Sequence, residues 1–425
     1  MTKELKNSSL VTGAGTYLLG RIVNAAIPFL LLPVLTRYLE PSEYGEVAMF
    51  QVWVALTGAI CGFSVHGAAG RKYFDYDEPD KHMGEFVFAC LILLVGSTTT
   101  LFLMVAPLSG WLSEQIGLPR IWILIGIPFA FSNFLIQLRL GQWQVRKQPQ
   151  KFAVFQIARS LLDMALSLVL VVILTLGVAG RLSGYTAAVV IFGVVAVLLL
   201  YRDGLIKKAW RPDLVREAAK FGVPLIPHVV GAFLLLTVDR AVIGAQLGLD
   251  AAGYYLVAAQ IAMVMSLILD SINKAYVPWL YERLKRDNPK EKLFIVKLTY
   301  GYNVFLIGGA GLAFLVGEEV LVFIAGDKYA PSGELIAWLI LAQAIRGMYY
   351  MVCSYIFYAK KTGVIAKITI TSGLLNVLLL FIMIDAFGLI GAAWAMCISM
   401  VLQWLATWWS ASLLVPMPWL LGITK

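Results

Sequence analysis

The stretch Phe221–Tyr255, FGVPLIPHVVGAFLLLTVDRAVIGAQLGLDAAGYY, decides the fold because the chain repeats its own beginning there. A proline-interrupted apolar run leads into a short polar turn, and the region near the N-terminus has the same layout. Leu39 and Leu247 are 208 positions apart, as are Gly45 and Gly253. Because the chain has 425 residues, a repeat of this length predicts two tandem halves.

Two further pairs of matching sequence features support the repeat. Tyr73 and Tyr281 are again 208 positions apart, and each precedes a polar loop. LGVAG at Leu176–Gly180 returns as FGLIG at Phe387–Gly391. We therefore expect an N-terminal half over residues 1–207 and a C-terminal half over residues 208–425.

Composition predicts the class of protein. Hydrophobic residues make up 60% of the chain and charged residues only 14%, with a mean hydropathy of +0.81. A helix of about 20 apolar residues crosses the hydrocarbon core of a bilayer. The long apolar runs predict an all-α, polytopic membrane protein with twelve transmembrane helices, over residues 9–38, 43–66, 83–106, 119–139, 151–176, 180–201, 217–246, 252–280, 292–316, 332–358, 363–385 and 388–414.

The basic residues predict the orientation. Of the 34 Lys and Arg, 25 fall at the termini or in alternate loops, and this group includes Arg139. The opposite side receives only Arg37, Arg120, Arg181 and Lys328. By the positive-inside rule both termini are cytoplasmic. The asymmetry also accounts for the net charge of +9, so no nucleic-acid partner is expected.

Six helices in each half give both halves the same orientation in the membrane. They are then parallel repeats related by an axis along the membrane normal. Such repeats predict a central cleft between two six-helix bundles and transport by alternating access.

Charged side chains inside the expected helices are the candidate site. Arg21 and Arg346 lie near the middle of helices one and ten, without an acid one turn away, and a charge there costs at least about 2.5–3.5 kcal/mol. The other intramembrane charges can be neutralised nearby. Six more charged side chains lie inside the expected helices: Arg159, Asp163, Asp239, Arg240, Asp270 and Lys274. Together with Arg21 and Arg346 they carry a net charge of +2, which favours an anionic substrate.

These residues have structural alternatives. Arg159 and Lys274 share a helical face with Asp163 and Asp270, so each could simply neutralise its partner or extend to the interface. Asp239 and Arg240 could anchor the outer end of a helix. The three aspartates are also candidates for coupling transport to H⁺ or Na⁺, and no other cofactor is expected. Three polar residues extend the candidate cavity: Asn24, Gln343 and Tyr349. Three prolines are candidate hinges: Pro28, Pro224 and Pro227.

Neither a metal centre nor a disulfide framework is expected. The three histidines, His66, His82 and His228, lack the spacing of metal ligands. The four cysteines lie in apolar runs without paired spacing: Cys61, Cys90, Cys353 and Cys397.

The chain resembles the Wzx-type polysaccharide flippases of the multidrug/oligosaccharidyl-lipid/polysaccharide exporter superfamily. The likeness covers essentially the whole chain, although each motif alone has low specificity. Its motifs are TRYLEPSEYGEVAMFQ (Thr36–Gln51), GFSVHGAAGRKYF (Gly62–Phe74), the stretch Pro224–Gln260, AYVPWLYERL (Ala275–Leu284) and FGLIGAAWA (Phe387–Ala395).

The resemblance implies a transporter rather than an enzyme. Such proteins flip undecaprenyl-diphosphate-linked oligosaccharides across the bacterial inner membrane for surface polysaccharide assembly. The family's basic cavity would correspond to Arg21, Arg159, Lys274 and Arg346, with membrane lipids and a polysaccharide polymerase as candidate partners. The related lipid II flippases carry two extra helices, which this chain lacks.

Three alternatives stay open. A drug or cation antiporter of the same superfamily would share the fold, but its cleft usually requires acidic residues. A membrane-embedded polymerase or transferase would be expected to have a larger outer loop or a clustered His/Asp/Arg set. An anion channel would not require two repeated halves.

Overall fold

The computed structural model describes residue 20 and residues 23–24, 26–75 and 79–419, and every regular element within these ranges is a helix. Eleven helical spans of the described chain are long and apolar enough to cross a membrane, and two of them, Pro41–Lys72 and Pro212–Leu236, each join two of the helices named below. The shorter helix Ala26–Tyr38 is the described end of the first expected helix. The all-α, polytopic architecture predicted from composition is confirmed.

The first seven helices follow closely on one another. They are α1 (Ala26–Tyr38), α2 (Pro41–Ile60), α3 (Val65–Lys72), α4 (Pro79–Ile116), α5 (Arg120–Val145), α6 (Pro149–Leu168) and α7 (Gly177–Arg202). A 3₁₀ turn, Cys61–Ser64, separates α2 from α3, and a π-helical turn, Val169–Ile173, extends α6.

Eight more helices lie in the described chain between residues 212 and 414. They are α8 (Pro212–Gly222), α9 (Ile226–Leu236), α10 (Val238–Leu247), α11 (Leu249–Arg286), α12 (Pro289–Ala325), α13 (Gly333–Tyr358), α14 (Thr362–Phe387) and α15 (Leu389–Leu414). The 3₁₀ turns Val223–Leu225 and Asp327–Ser332 precede α9 and α13.

The repeat is visible in helix lengths and in how the helices begin. Helices α5 and α13 each have 26 residues, as do α7 and α15. Gly177 at the start of α7 has φ +53°, and Gly388 before α15 has φ +65°. Because only glycine adopts this conformation without strain, the repeated glycine marks the same turn in each half.

The chain forms two compact units, residues 1–230 and 231–425. In the first, α5 packs against α2, α4 and α7, while α8 packs on α3 and α4. In the second, α13 packs against α11, α12 and α15. The units divide inside α9, beyond the expected repeat boundary, because α8 belongs to the first unit by its contacts. The boundary at 207/208 stays a prediction about the sequence repeat.

The second expected helix, 43–66, is wrong as a continuous element. Three consecutive residues have positive φ: Gly62 at +67°, Phe63 at +48° and Ser64 at +56°. The Gly62 N–H donates to Ser97 Oγ at 2.8 Å. A Cβ on Gly222 would lie 2.1 Å from the carbonyl oxygen of Phe63, so α8 closes directly over the turn.

The seventh expected helix, 217–246, is also interrupted. Pro224 lies in the 3₁₀ turn between α8 and α9, and Pro227 lies in the first turn of α9. A second break follows at Thr237, whose φ is −138°. Two of the three hinge candidates thus lie at or beside a break. Pro28 lies in α1 with an exposed side chain, and a hinge role for all three stays a prediction.

The expected end of the fourth helix at residue 139 is wrong, because α5 continues to Val145. Arg139, which the charge count assigned to a cytoplasmic segment, is 1% exposed within α5. Its guanidinium pairs with Asp203 at the end of α7 and lies 4.1 Å from the centroid of the Trp143 ring. Pairing and stacking allow this arginine to stay inside the helix packing.

Candidate functional site

In the first unit, α6 gathers polar side chains on one face. They recur at helical spacing three or four residues apart, which places them along one side of the helix. The face consists of Gln156, Arg159, Ser160, Asp163 and Ser167. Asn24 joins it, because the Ser160 hydroxyl donates to Asn24 Oδ1 at 2.7 Å.

Asp163 is neutralised by a different partner from the one that its sequence spacing predicts. Arg181 Nη1 lies 2.5 Å from Asp163 Oδ1 and also donates to Ser167 Oγ at 2.7 Å. The Ser167 hydroxyl donates to Asp163 Oδ1 at 3.2 Å, which closes a triangle between α6 and α7. Arg181 lies near the start of α7, within the expected helix 180–201, and is buried.

Arg159 is left without an ion pair among the described residues, although Asp163 lies one turn away on the same helix. It is the eleventh of the 25 residues of the span Pro149–Ile173, close to the middle. A half-buried arginine at this depth requires water or an anion to compensate its charge. Arg21 lies outside the described residues.

In the second unit, α13 presents a comparable face. Arg346 is half-buried, and its Cζ lies 5.7 Å from the centroid of the Tyr350 ring. Gln343, three residues earlier, is 8% exposed, and its Oε1 has no hydrogen-bond partner within the described structure. Tyr349 lies three residues later and accepts a hydrogen bond from Cys353 Sγ at 3.3 Å. The face therefore combines a guanidinium, a free amide oxygen and two phenols.

Helix α11 carries a further charged pair close to Arg346 of α13. Lys274 forms an ion pair with Asp270 one turn away, and both side chains are partly exposed, at 44% and 40%. A Cβ on Gly347 would lie 2.7 Å from Leu269, so α11 and α13 touch beside Asp270 and Arg346. The pair that sequence spacing predicts on α11 is present, and no carboxylate of the described residues pairs with Arg346.

Asp239 and Arg240 lie in the first turn of α10 and are buried, at 4% and 8% exposure. Such burial does not suit an anchor at the membrane surface. Asp239 Oδ1 accepts the backbone N–H of Arg240 at 2.9 Å, and in the described chain it forms no ion pair. Arg240 Nε is buried and has no hydrogen-bond partner among the residues that the structure describes. This part of α10 is a strongly polar site inside helix packing.

Sequence reasoning missed two buried amides of the second unit. Asn303 on α12 is 7% exposed, and its Oδ1 has no hydrogen-bond partner in the described structure. Asn376 on α14 donates to the carbonyl oxygen of Leu234 at 3.2 Å. Their position within apolar runs was the available signal, because amides there require partners. The four cysteines are buried and free.

Comparison with known proteins decides the family. Residues 10–283, more than half of the chain, match the sequence profile described as polysaccharide biosynthesis protein. The chain belongs to the polysaccharide biosynthesis protein family. The fold and the intramembrane charges described above are therefore those of a member of this family.

Relatives of this polysaccharide biosynthesis protein extend over nearly its whole length. A protein of the Lsg locus of Haemophilus influenzae is 24% identical over 381 residues, covering 85% of this chain and 88% of the relative. A succinoglycan biosynthesis transport protein of Rhizobium meliloti is 21% identical over 417 residues, covering 93% and 81%.

Solved structures share the fold of this family member. A lipid II flippase, MurJ, in an inward closed conformation aligns with a TM-score of 0.75 at 15% identity, covering 93% of this chain and 87% of the flippase. An inward-facing multidrug resistance MATE transporter aligns with a TM-score of 0.61 at 15% identity, covering 92% and 97%. At these identities the likeness concerns architecture alone.

Proposed function

We propose that this chain is a flippase that moves a lipid-linked oligosaccharide between the two leaflets of a bacterial plasma membrane during polysaccharide assembly. The family match, the transport protein of succinoglycan biosynthesis and the shared fold with a lipid II flippase support this proposal. The substrate that fits the chemistry best is an undecaprenyl-diphosphate-linked oligosaccharide.

The observation that carries the proposal is the environment of Arg346. It is the fourteenth of the 26 residues of α13, and within the described structure no carboxylate neutralises it. A mid-membrane guanidinium persists when it faces water or an anion. Its planar fork of donors matches phosphate oxygens, so a diphosphate is a suitable ligand.

We assign each of the other candidate site residues to one part of the substrate, the anionic diphosphate or the glycan. Arg159 supplies a second unneutralised guanidinium, and Lys274 supplies a cation that Asp270 partly compensates. We assign Arg21 and Arg240 to the same basic set. Gln343 Oε1 and the Tyr349 hydroxyl are suited to hydrogen bonds with sugar hydroxyls, and Asn24 offers an amide. Each unit therefore contributes basic side chains with neutral polar groups beside them.

Transport by alternating access requires no bond to be made or broken, so the proposed protein acts without enzyme chemistry. Coupling to H⁺ or Na⁺ would use a carboxylate, and Asp239 is the buried candidate without an ion pair in the described structure. The proposed orientation places both termini in the cytoplasm, since the basic loops then face inward.

A flipping assay with reconstituted protein tests the function. Proteoliposomes would carry a fluorescent undecaprenyl-diphosphate oligosaccharide, and translocation would be read by accessibility of the glycan to an added oxidant or lectin. We expect wild-type protein to flip the lipid and Arg346→Ala to flip it at least tenfold more slowly. Arg286→Ala is the matched control, because Arg286 is an exposed arginine at the end of α11.

Two results would refute the proposal. Wild-type protein that fails to flip the lipid but exchanges a cationic drug for H⁺ or Na⁺ would establish the antiporter alternative. Equal flipping by wild type and Arg346→Ala would reject the role of the arginine.

A further inference from the structure

A polar cavity of about 250 Å³ lies among α3, α4 and α8 in the first unit. The last turn of α3 contributes Arg71 and Lys72, and α8 contributes Glu217 and Lys220. Aromatic rings from Phe86 and Phe221 form apolar parts of its wall. The volume is many times what one water molecule requires, so a polyatomic ligand has room.

The charges in this cavity are unevenly compensated. Lys72 Nζ lies 2.7 Å from Glu217 Oε1 and 4.0 Å from Asp75 Oδ2, so both carboxylates lie against this one lysine. Arg71 and Lys220 form no ion pair within the described ranges. Arg71 instead has its Cζ 5.9 Å from the centroid of the Phe221 ring. The wall therefore carries two cations, on two different helices, that are available to an anion.

The surroundings of the cavity indicate a membrane surface. Trp210, two residues before α8, is 71% exposed, and Val223, directly after it, is 46% exposed. Exposed indoles are typical of the zone where headgroups meet hydrocarbon. Leu214 and Ala218 are buried against the unit, so α8 presents its charged face outward. Cations beside exposed apolar side chains suit a ligand that has both a phosphate and an acyl chain.

We propose that this cavity binds the phosphate of an anionic phospholipid, from the leaflet next to the basic loops, through Arg71 and Lys220. Arg71 offers a planar pair of donors and Lys220 a mobile point charge, and the two approach the phosphate from different helices. Bound lipid would join α3 to α8 beside the turn at 61–64, and this site is distinct from the proposed transport residues.

The test measures lipid binding to purified protein in neutral detergent. The unfolding temperature would be followed while phosphatidylglycerol, phosphatidylcholine or inorganic phosphate is added. For wild type we expect a rise with phosphatidylglycerol alone. Each basic residue near a surface contributes about 1 kcal/mol of attraction to anionic lipid. Arg71→Gln and Lys220→Gln should therefore each weaken the apparent affinity about fivefold, and the double variant about 25-fold.

Control variants separate a built site from general attraction. Arg211→Gln removes a basic residue next to α8 whose guanidinium already contacts Glu85 at 3.1 Å and Asp213 at 2.8 Å. It should bind phosphatidylglycerol like wild type, and Lys220→Arg should retain most of the affinity. Lys220 is exposed, so its substitution does not disturb a core.

Three outcomes would overturn the inference. The first is a double variant that binds phosphatidylglycerol as wild type does. The second is an equal loss in Arg211→Gln, which would indicate unspecific charge attraction. The third is a temperature rise with inorganic phosphate equal to that with phosphatidylglycerol, which would indicate a soluble anion as the ligand.

Discussion

Arg181 on α7 donates to Asp163 on α6 across 2.5 Å, and this contact determines which arginine of the first unit has a carboxylate partner. Asp163 has Arg159 one turn away on its own helix, yet its carboxylate is held by the neighbouring helix. Ser167 reinforces the choice by bonding to both members of the pair. Arg159 consequently has no carboxylate partner within the described part of the chain and is available to an anion.

Asp163→Asn should destabilise the protein. The substitution leaves Arg181 buried without its counter-charge, and breaking a buried pair from one side costs about 3 kcal/mol or more. Thermal unfolding in detergent would measure the loss. Asp163→Asn/Arg181→Gln should recover part of it, because neither partner then carries a buried charge. Asp213→Asn, at an exposed pair, should leave unfolding unchanged, and an equally stable Asp163→Asn would contradict the pair's structural role.

Charge should matter more than side-chain shape at Arg159 and Arg346. A hydrogen bond to a charged group contributes about 1.5–3 kcal/mol, so each Arg→Ala variant should flip the lipid at least tenfold more slowly. Each Arg→Lys variant should keep partial activity. Initial flipping rates, normalised to the amount of protein in the membrane, provide the measurement. If Arg→Ala instead lowers protein abundance and leaves the normalised rate intact, the residues serve folding.

Asp239 should be the carboxylate that couples transport to an ion. It is buried, and within the described structure it lacks the ion pair that Asp163 and Asp270 each form. Flipping by Asp239→Asn should lose its dependence on the pH or Na⁺ gradient. Asp270→Asn is the comparison, because Lys274 already compensates that carboxylate. Unchanged gradient dependence in Asp239→Asn would remove it as the coupling residue.

Gly62→Ala should lower the unfolding temperature. Its φ of +67° disfavours any side chain by about 1–2 kcal/mol, and the new Cβ would lie 2.3 Å from the Phe134 ring. Gly58→Ala is the matched control on α2, because a Cβ there meets nothing within 4 Å. That control should be neutral or slightly stabilising, since alanine favours helix. Similar effects of the two substitutions would contradict the strained turn.

Positions 147, 208 and 286 should face the same side of the membrane as both termini. Single accessibility tags at these loops would be probed from each side of intact cells. We expect all three to be reached only from the cytoplasm. A tag at any of them reached from outside would reject the twelve-helix topology.

The sequence predicts most of the fold because apolar run length and loop charge are local properties. Arg346 could be selected as a site residue on the same basis, since a lone arginine inside an apolar run is visible without a structure. Gly177 and Gly388 were likewise found as a repeat before their positive φ gave the reason.

The errors concern contacts between helices. Arg181 lies near the start of α7, and its partner Asp163 lies 18 positions earlier on another helix, so no local pattern connects the two. The sequence predicts that a helix ends at Arg139, because its partner Asp203 lies 64 positions later and no local pattern reveals the pair. The turn at 61–64 depends on Ser97 and Gly222, which no local pattern connects to it.

The turn at 61–64 divides the long helical segment Pro41–Lys72 so that α2 alone is about as long as the bilayer is thick. Helix α2 has 20 residues, so at 1.5 Å per residue it measures about 30 Å, the thickness of the hydrocarbon core. A helix longer than the core responds to hydrophobic mismatch by tilting. Because the backbone bends sharply at Gly62, we expect α2 to tilt in a thinner bilayer while α3 keeps its contacts with α8. The bend would then separate the tilt of α2 from the packing of α3 on α8.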